Sequence, residues 1–373
     1  MIELKEVSKL YRGQPAPAVD NLSMTVPNGE TCVLVGPSGC GKSTTLRMIN
    51  RLIEPNSGTI MIDNKDIRES DPDKLRMDIG YVIQQIGLLP HRTIEENIAI
   101  VPRLHGWPKD RIKKRVEELL DLIGLDPEVT RSKFPSQLSG GQMQRVGVAR
   151  AMAVDPPIML MDEPFGAVDP IARNHLQDEF LRLQRELRKT ICFVTHDINE
   201  AIKMGDRIAI FNQGRLVQYG TPREILSRPA NDFVTDFIGN DRVVKMLSLF
   251  RVEDVVKTKA CSVGENELAN IADKMADLGA RVCFLTDAGG RAAGFITAQD
   301  MEARGAGVAP ETWLSVAAGR KGAFVQEDVL LRDALSLMLE LDSDYLGVLS
   351  GSRLTGAISL QDIRKHASKK EGE

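Results

Sequence analysis

The chain has 373 residues, more than one ordinary core accommodates, so two or three domains are expected. Hydrophobic residues make up 42% and charged residues 27%, a globular balance that excludes wholesale disorder. The formal net charge of −4 gives no basic excess, so no nucleic-acid partner is expected. The longest stretch free of Asp, Glu, Lys and Arg is 79–91, only 13 residues. A membrane-spanning helix needs ~20 mostly apolar residues, so any work at a membrane is expected to run through partner subunits.

The opening MIELKEVSKLYRG is charged from Glu3 onward and holds no apolar run of signal-peptide length. Residues 30–35 (ETCVLV) read as a buried strand. Gly36, Pro37, Ser38, Gly39, Cys40, Gly41, Lys42, Ser43 and Thr44 follow it, matching G-x-x-x-x-G-K-[ST], and a helical stretch (TTLRMINRLI) comes next. In this strand–loop–helix context the glycines let backbone N–H groups turn toward phosphate oxygens, and the helix N-terminus adds a positive dipole end. Lys42 is then placed to neutralise β/γ phosphates and the Ser43 hydroxyl to ligate Mg²⁺. Gln84 and Gln85, in IGYVIQQIGLLPH, each carry an amide suited to Mg²⁺ or water, and chemistry alone does not choose between them. Residues 108–125 have helical periodicity, with Ile112, Val116, Leu119, Leu120 and Ile123 on one face, as for a surface helix packed on a core.

Residues 158–161 (IMLM) form a second buried strand, which delivers Asp162 to its C-terminal end, where a carboxylate holds Mg²⁺ through water. Glu163 points elsewhere, placed to orient or deprotonate an attacking water. Residues 180–189 read as a charged amphipathic helix without chemistry. A third strand, 191–195 (ICFVT), leads to His196. Open α/β sheets bind ligands at the carboxyl ends of their strands, so parallel strands put His196 at the same edge as Asp162, in reach of a γ-phosphate. The alternation of strands with amphipathic stretches over the first ~240 residues is the α/β pattern. Cys32, Cys40, Cys192, Cys261 and Cys283 include no CxxC pair, so reduced thiols in a cytosolic compartment are expected, and no metal site.

After about residue 239 a repeat appears. Residues 284–301 (FLTDAGGRAAGFITAQDM) and 346–363 (LGVLSGSRLTGAISLQDI) share Gly-apolar-Ile-Thr/Ser-x-Gln-Asp-apolar, starting at Gly294 and Gly356, 62 residues apart. Each copy follows a helical stretch (268–278 and 331–341), then a strand, a Gly/Ser turn and a second strand. Each unit is too small to bury a large core alone, so the two are expected to pair. Thr297 with Asp300, and Ser359 with Asp362, also match a helix N-cap signature. The end, KHASKKEGE, reads as a mixed-charge coil.

Leu138, Ser139, Gly140, Gly141 and Gln142, taken with the two nucleotide motifs, resemble the ATP-binding cassette (ABC) ATPases over roughly residues 1–240. The resemblance implies an α/β P-loop NTPase domain with a helical subdomain at about 88–140, and ATP and Mg²⁺ as cofactors. It also implies a dimer of two copies sandwiching two ATP molecules, with the 139–142 segment closing on the ATP of the other subunit. By the same resemblance Tyr11 stacks on adenine, Gln84 rather than Gln85 is the loop glutamine, and Glu163 is the catalytic glutamate. Asp169 links the two sites and His196 is the switch histidine; Val168 stands where leucine is usual. Residues 241–373 resemble an α+β tandem cystathionine-β-synthase (CBS) pair, at about 248–304 and 312–368. In that family Thr297, Asp300, Ser359 and Asp362 would hold a regulatory nucleotide. A cassette carrying VIQQIGLLPHRTIEENI, DEPFGAVDPIAR and a CBS pair is similar to the ATPase subunits of osmoprotectant importers, which move glycine betaine, choline or carnitine. This implies transmembrane permease partners, indirectly a solute-binding protein, and a peripheral place on the cytoplasmic face of a bacterial inner membrane. The competing readings are a methionine or molybdate importer, a soluble cassette protein of DNA repair or translation, and a nucleotide sensor without catalysis.

Overall fold

The computed structural model describes residues 1–83, 87–166, 168–256, 261–286, 292–304, 310–320 and 322–368; Gln84 and Gln85 lie outside them. The chain divides into two compact units, Met1–Gly239 and Asn240–Glu373.

The first unit opens with β1 (Ile2–Lys9), β2 (Val19–Val26), β3 (Thr31–Val35), α1 (Lys42–Ile49), β4 (Ser57–Ile62), β5 (Lys65–Asp66), α2 (Pro72–Met77) and β6 (Ile79–Val82). A helical region follows: α3 (Ile94–Ile98), α4 (Ile100–Leu104), α5 (Lys109–Leu122), α6 (Pro127–Thr130) and α7 (Gly140–Ala151). The unit closes with β7 (Ile158–Asp162), α8 (Pro170–Leu187), β8 (Thr190–Thr195), α9 (Ile198–Met204), β9 (Arg207–Asn212), β10 (Arg215–Gly220), α10 (Pro222–Ser227) and α11 (Asp232–Ile238).

Two sheets result. One is antiparallel, in the order β2-β1-β4-β5; the other has the order β10-β9-β3-β8-β7-β6, parallel except for the β9–β10 pair. Strands β3, β7 and β8 are buried along their whole length, as expected of apolar runs covered on both faces. The antiparallel sheet has no counterpart in the sequence reading. In β1 the inward residues are Ile2, Leu4 and Val7, and an irregularity between Leu4 and Val7 breaks the period of two that would have marked it.

The predicted apolar face of α5 is buried throughout: Ile112, Val116, Leu119 and Leu120, with Ile123 just past its end. The expected helical subdomain stops at 140, but α7 carries the chain on to Ala151. A second boundary moves further. Helix α8 starts at Pro170, not at 180, because proline at the first helical position loses no hydrogen bond and the Arg173 N–H already bonds the Asp169 carbonyl at 2.8 Å.

The second unit runs α12 (Arg242–Leu247), β11 (Cys261–Gly264), α13 (Ile271–Leu278), β12 (Val282–Thr286), β13 (Ala292–Thr297), α14 (Ala298–Arg304) and α15 (Pro310–Ala318). It ends with β14 (Phe324–Gln326), α16 (Leu331–Glu340), β15 (Tyr345–Ser350), β16 (Arg353–Ser359) and α17 (Leu360–Ser368). The repeat builds two three-stranded sheets, β11-β12-β13 and β14-β15-β16, each with a parallel first pair and an antiparallel second pair. One core joins both copies: Phe284 and Phe295 of the first pack with Leu331, Leu346, Val348 and Ile358 of the second. Phe284 lies 5.6 Å from Phe295 and 5.8 Å from Phe324, ring centre to ring centre. Cys261 and Cys283 prove to be register partners on neighbouring strands, with sulfurs 3.2 Å apart. The terminal coil is also corrected: residues 365–368 belong to α17, which Ser359 caps and no Gly or Pro interrupts, while 369–373 lie outside the described residues.

Because Phe284 is fully buried between the two copies, Phe284→Ala should destabilise the second unit by about 3–5 kcal/mol. Equilibrium denaturation of the full-length chain measures this, and an unchanged midpoint would show that the two copies do not share a core.

Candidate nucleotide site

Strands β7, β8 and β3 are neighbours and parallel, so their carboxyl ends share an edge. The ladders pair Val35 with Thr195 and Asp162 with Val194. This brings the loop after Val35, the Asp162–Glu163 pair and His196 into one row.

The loop is shaped by its own backbone. A Cβ on Gly36 would sit 2.2 Å from the Phe211 carbonyl oxygen and 2.9 Å from the Cys40 sulfur, so no side chain fits there. A Cβ on Gly39 would meet nothing within 4 Å, so the loop is open at that point. Gly41, left-handed, leads into α1, and Lys42 lies buried at its start. The Lys42 ammonium donates to the carbonyl oxygens of Gly36 at 2.7 Å and Pro37 at 2.9 Å, which holds a positive charge within the loop. A concave loop lined by backbone, backed by a helix N-terminus and a cation, is matched to phosphate oxygens. Pro37, Ser38 and Gly39 are exposed along its rim. Tyr11, 37% exposed, shares with Gly39 the wall of a cleft of ≈ 810 Å³, together with Asn212, Gly214 and Arg215.

The Ser43 hydroxyl donates to Asp162 Oδ1 at 2.8 Å. Burial pushes the Asp162 carboxyl above its ordinary range, the Ser43 hydrogen bond acts downward, and the neighbouring Glu163 pushes it up again. A hydroxyl and a buried carboxylate side by side are hard oxygen donors of the kind Mg²⁺ takes, so the residues fit that ion.

Glu163 follows with φ of 48°, in the left-handed region that a non-glycine residue occupies at a cost of roughly 1–3 kcal/mol. Its N–H donates to the Val194 carbonyl at 2.9 Å, and its carbonyl accepts from the Gly166 N–H at 3.1 Å. Its carboxylate reaches the exposed His196, with Oε1 3.4 Å from Nδ1. A carboxylate beside an imidazole at the edge of a phosphate loop is equipped to orient a water and take its proton.

Ser139, Gly140, Gly141 and Gln142 form the start of α7. The Ser139 hydroxyl accepts from the Gln142 N–H at 3.3 Å, and Gln142 Oε1 accepts from the Ser139 N–H at 3.0 Å, a reciprocal cap. Among the described residues these four share no hydrogen bond with residues 36–44 of their own chain. Val168, where leucine was the expectation, is buried with its Cγ1 3.7 Å from the position of a Gly141 Cβ. Asp169 is exposed just before α8. Thr44 sits in the first turn of α1.

Some residues that serve this edge were not read from the sequence. Gln144 Nε2 donates to the Glu163 carbonyl at 3.2 Å, and Arg150 Nη1 donates to the Gly87 carbonyl at 2.6 Å, just past the two glutamines. Both lie on α7 a few positions beyond the LSGGQ string, and neither spacing nor residue type advertises a long-range bond.

In the second unit Thr297 and Asp300 cap each other, at 2.7 and 3.2 Å, and Ser359 and Asp362 do the same at 3.0 and 3.1 Å. Asp300 is also gripped by Arg320, at 2.6 and 3.2 Å. Burial acts upward on its carboxyl, but the hydrogen bonds from Arg320 and Thr297 prevail and hold it low. The helix-cap reading therefore accounts for all four residues without a ligand.

Because the folded chain raises the Asp162 pKa, its ionised form costs stability at neutral pH. Asp162→Asn should therefore raise the melting temperature near neutrality. The gain should shrink as pH falls through the raised folded-state value and vanish below the ordinary carboxylate value of 3.8, where the acid is neutral in both states. Thermal melts of the two proteins across the acid-to-neutral range test this.

Comparison with known proteins places this geometry. The family profile described as ABC transporter matches residues 19–166. The chain is 51% identical over 301 residues to the osmoprotectant import ATP-binding protein OsmV of Salmonella typhimurium, covering 79% of each. It is 44% identical to the glycine betaine/carnitine/choline transport ATP-binding protein OpuCA of Bacillus subtilis, over 97% of this chain and 96% of that one. Among solved structures, the dimeric post-hydrolysis state of the ATP-binding cassette MJ0796 bound to ADP and Pi is 36% identical, with a TM-score of 0.56, covering 60% of this chain and 99% of that one. With half the residues identical across the aligned 301 in one such protein, and with another matched almost end to end, the chain belongs to the ATP-binding cassette transporter family.

Proposed function

We propose that this chain is the ATP-hydrolysing subunit of an importer of quaternary-amine osmoprotectants such as glycine betaine, choline and carnitine. One observation carries the hydrolytic part: Ser43 with Asp162 at 2.8 Å and Glu163 with His196 at 3.4 Å stand in one row at the carboxyl edge of the parallel sheet. The solute class is supported by the near end-to-end likeness to a relative named for those solutes, and by the likeness over 79% of the chain to one named for osmoprotectant import.

Two copies clasp two ATP molecules, each phosphate loop of one copy facing residues 139–142 of the other. The Lys42 ammonium and the loop N–H groups take up phosphate charge, Tyr11 stacks on adenine and Asp169 links the two sites. Ser43 and Asp162 would hold Mg²⁺, which would supply neutralisation of phosphate charge. Gln84 is a further contact in this scheme. Glu163 accepts the proton of the attacking water, and His196 orients Glu163 and meets the γ-phosphate. Closure of the dimer pushes on permease subunits through the helical region at about 88–137; loss of phosphate reopens it, and a solute-binding protein delivers cargo on the far side. The chain sits peripherally on the cytoplasmic face of the inner membrane, and among the described residues no helix is long and apolar enough to cross it. The second unit acts as a tandem CBS pair that biases the open and closed dimers. Its repeated sheets support that reading; the four cap residues do not add to it.

Glu163→Gln should retain ATP binding and ATP-dependent dimerisation while abolishing turnover. Full ATPase activity in that variant would remove Glu163 from the mechanism. In vesicles holding the assembled transporter, a panel of solutes should stimulate hydrolysis only where a quaternary amine is present; stimulation by methionine or molybdate instead would replace the solute assignment.

A further inference from the structure

Resting on the proposed role of Glu163, the geometry assigns Gln144 as a positioning residue for that carboxylate. Gln144 is 3% exposed, five residues beyond Ser139 on α7. Its Nε2 donates to the Glu163 carbonyl at 3.2 Å, while its Oε1, also buried, has no hydrogen-bond partner among the described residues. A cavity of ≈ 30 Å³ beside it is walled largely by apolar side chains, Val148, Pro164, Phe165 and Phe180 among them, with Arg145 and Glu179 also on its lining. A buried amide with one end unsatisfied is unfavourable for folding, and an apolar side chain of similar volume would pack there at least as well.

What the amide does is hold a backbone. Glu163 sits in left-handed φ, a conformation kept only when its surroundings over-determine it. Among the described residues three backbone bonds contribute: its N–H donates to the Val194 carbonyl, and its carbonyl accepts from the Gly166 N–H and from Gln144 Nε2. The first comes from the strand that leads to His196 and the second from the turn after Glu163. The third comes from the helix whose capped start carries the 139–142 segment. Gln144 therefore ties the segment offered to one nucleotide to the carboxylate that acts on the other, within one polypeptide. It touches no reacting atom; it fixes the direction in which the Glu163 side chain leaves the backbone.

The test is Gln144→Met in the full-length chain, assayed with MgATP beside Glu163→Gln. Methionine keeps the volume and removes both the donor and the orphaned oxygen. The variant should melt at or above the parent temperature and bind ATP as the parent does. Its kcat should fall roughly 10- to 100-fold with KM within about 2-fold, as expected when a catalytic group is misdirected by less than an ångström or so. Turnover at the parent rate would overturn the assignment, as would a fall in kcat matched by lost ATP affinity and a lowered melting temperature. Gln144→Glu gives a second, independent readout, and serves if the methionine variant does not fold. Its carboxyl repels the Glu163 carbonyl when ionised and donates to it when protonated. Its kcat relative to the parent should therefore recover as pH falls; a flat ratio counts against positioning. If Glu163→Gln itself turns over normally, the role of Glu163 fails. If Glu163→Gln is dead and Gln144→Met fully active, only the role of Gln144 fails.

Discussion

A parallel ladder fixes where its strands end relative to one another, and in this chain that register governs the chemistry. Val35 pairs with Thr195 and Asp162 with Val194 across β3, β8 and β7. A slip of one residue between β7 and β8 would turn Asp162 to the opposite face of the sheet and draw Glu163 away from His196, and a slip between β3 and β8 would shift the phosphate loop away from both. The register is held by continuous apolar burial on both faces, through residues such as Leu34, Leu160, Phe193 and Val194, none of which takes part in the reaction. Precision at the edge is thus a product of packing behind it.

At that edge the fold departs from its own local rules. Asp162 is a buried carboxylate with a raised pKa, Glu163 occupies a backbone region that suits glycine, and Gln144 keeps a buried oxygen unsatisfied. Each of these works against folding, and each belongs to the same few ångströms. Departures of this kind are tolerated where a site must meet phosphate and water in one geometry, with the cost carried by a well-packed remainder.

The second unit shows how one sequence skeleton diverges in its surroundings. Both copies close the start of a helix with a Thr/Ser–Asp cap, yet Arg320 grips Asp300 in the first copy. That guanidinium also lies 4.9 Å over the Phe295 ring, so the first cap is tied into the aromatic core shared by the copies. The repeat is visible in the sequence, but the ion pair that distinguishes its halves joins residues 20 apart across a different helix.

What the sequence determined by itself was whatever depends on contiguous residues. The phosphate loop between a strand and a helix, the buried strands carrying Asp162 and His196, the apolar face of α5 and the doubled unit all follow from strings whose spacing has a local physical meaning. The antiparallel sheet escaped because an irregularity in β1 interrupts its alternation, whereas the early turns of α8 are legible, since Leu176, Phe180 and Leu183 fall at helical spacing, and a start at 180 is simply too late. Only the tertiary structure decided which distant groups meet. It set Ser43 on Asp162, Gln144 on the Glu163 backbone, and Cys261 beside Cys283. These are contacts between side chains or backbone groups brought together by sheet order and helix packing, and such proximity leaves no periodic trace along the chain.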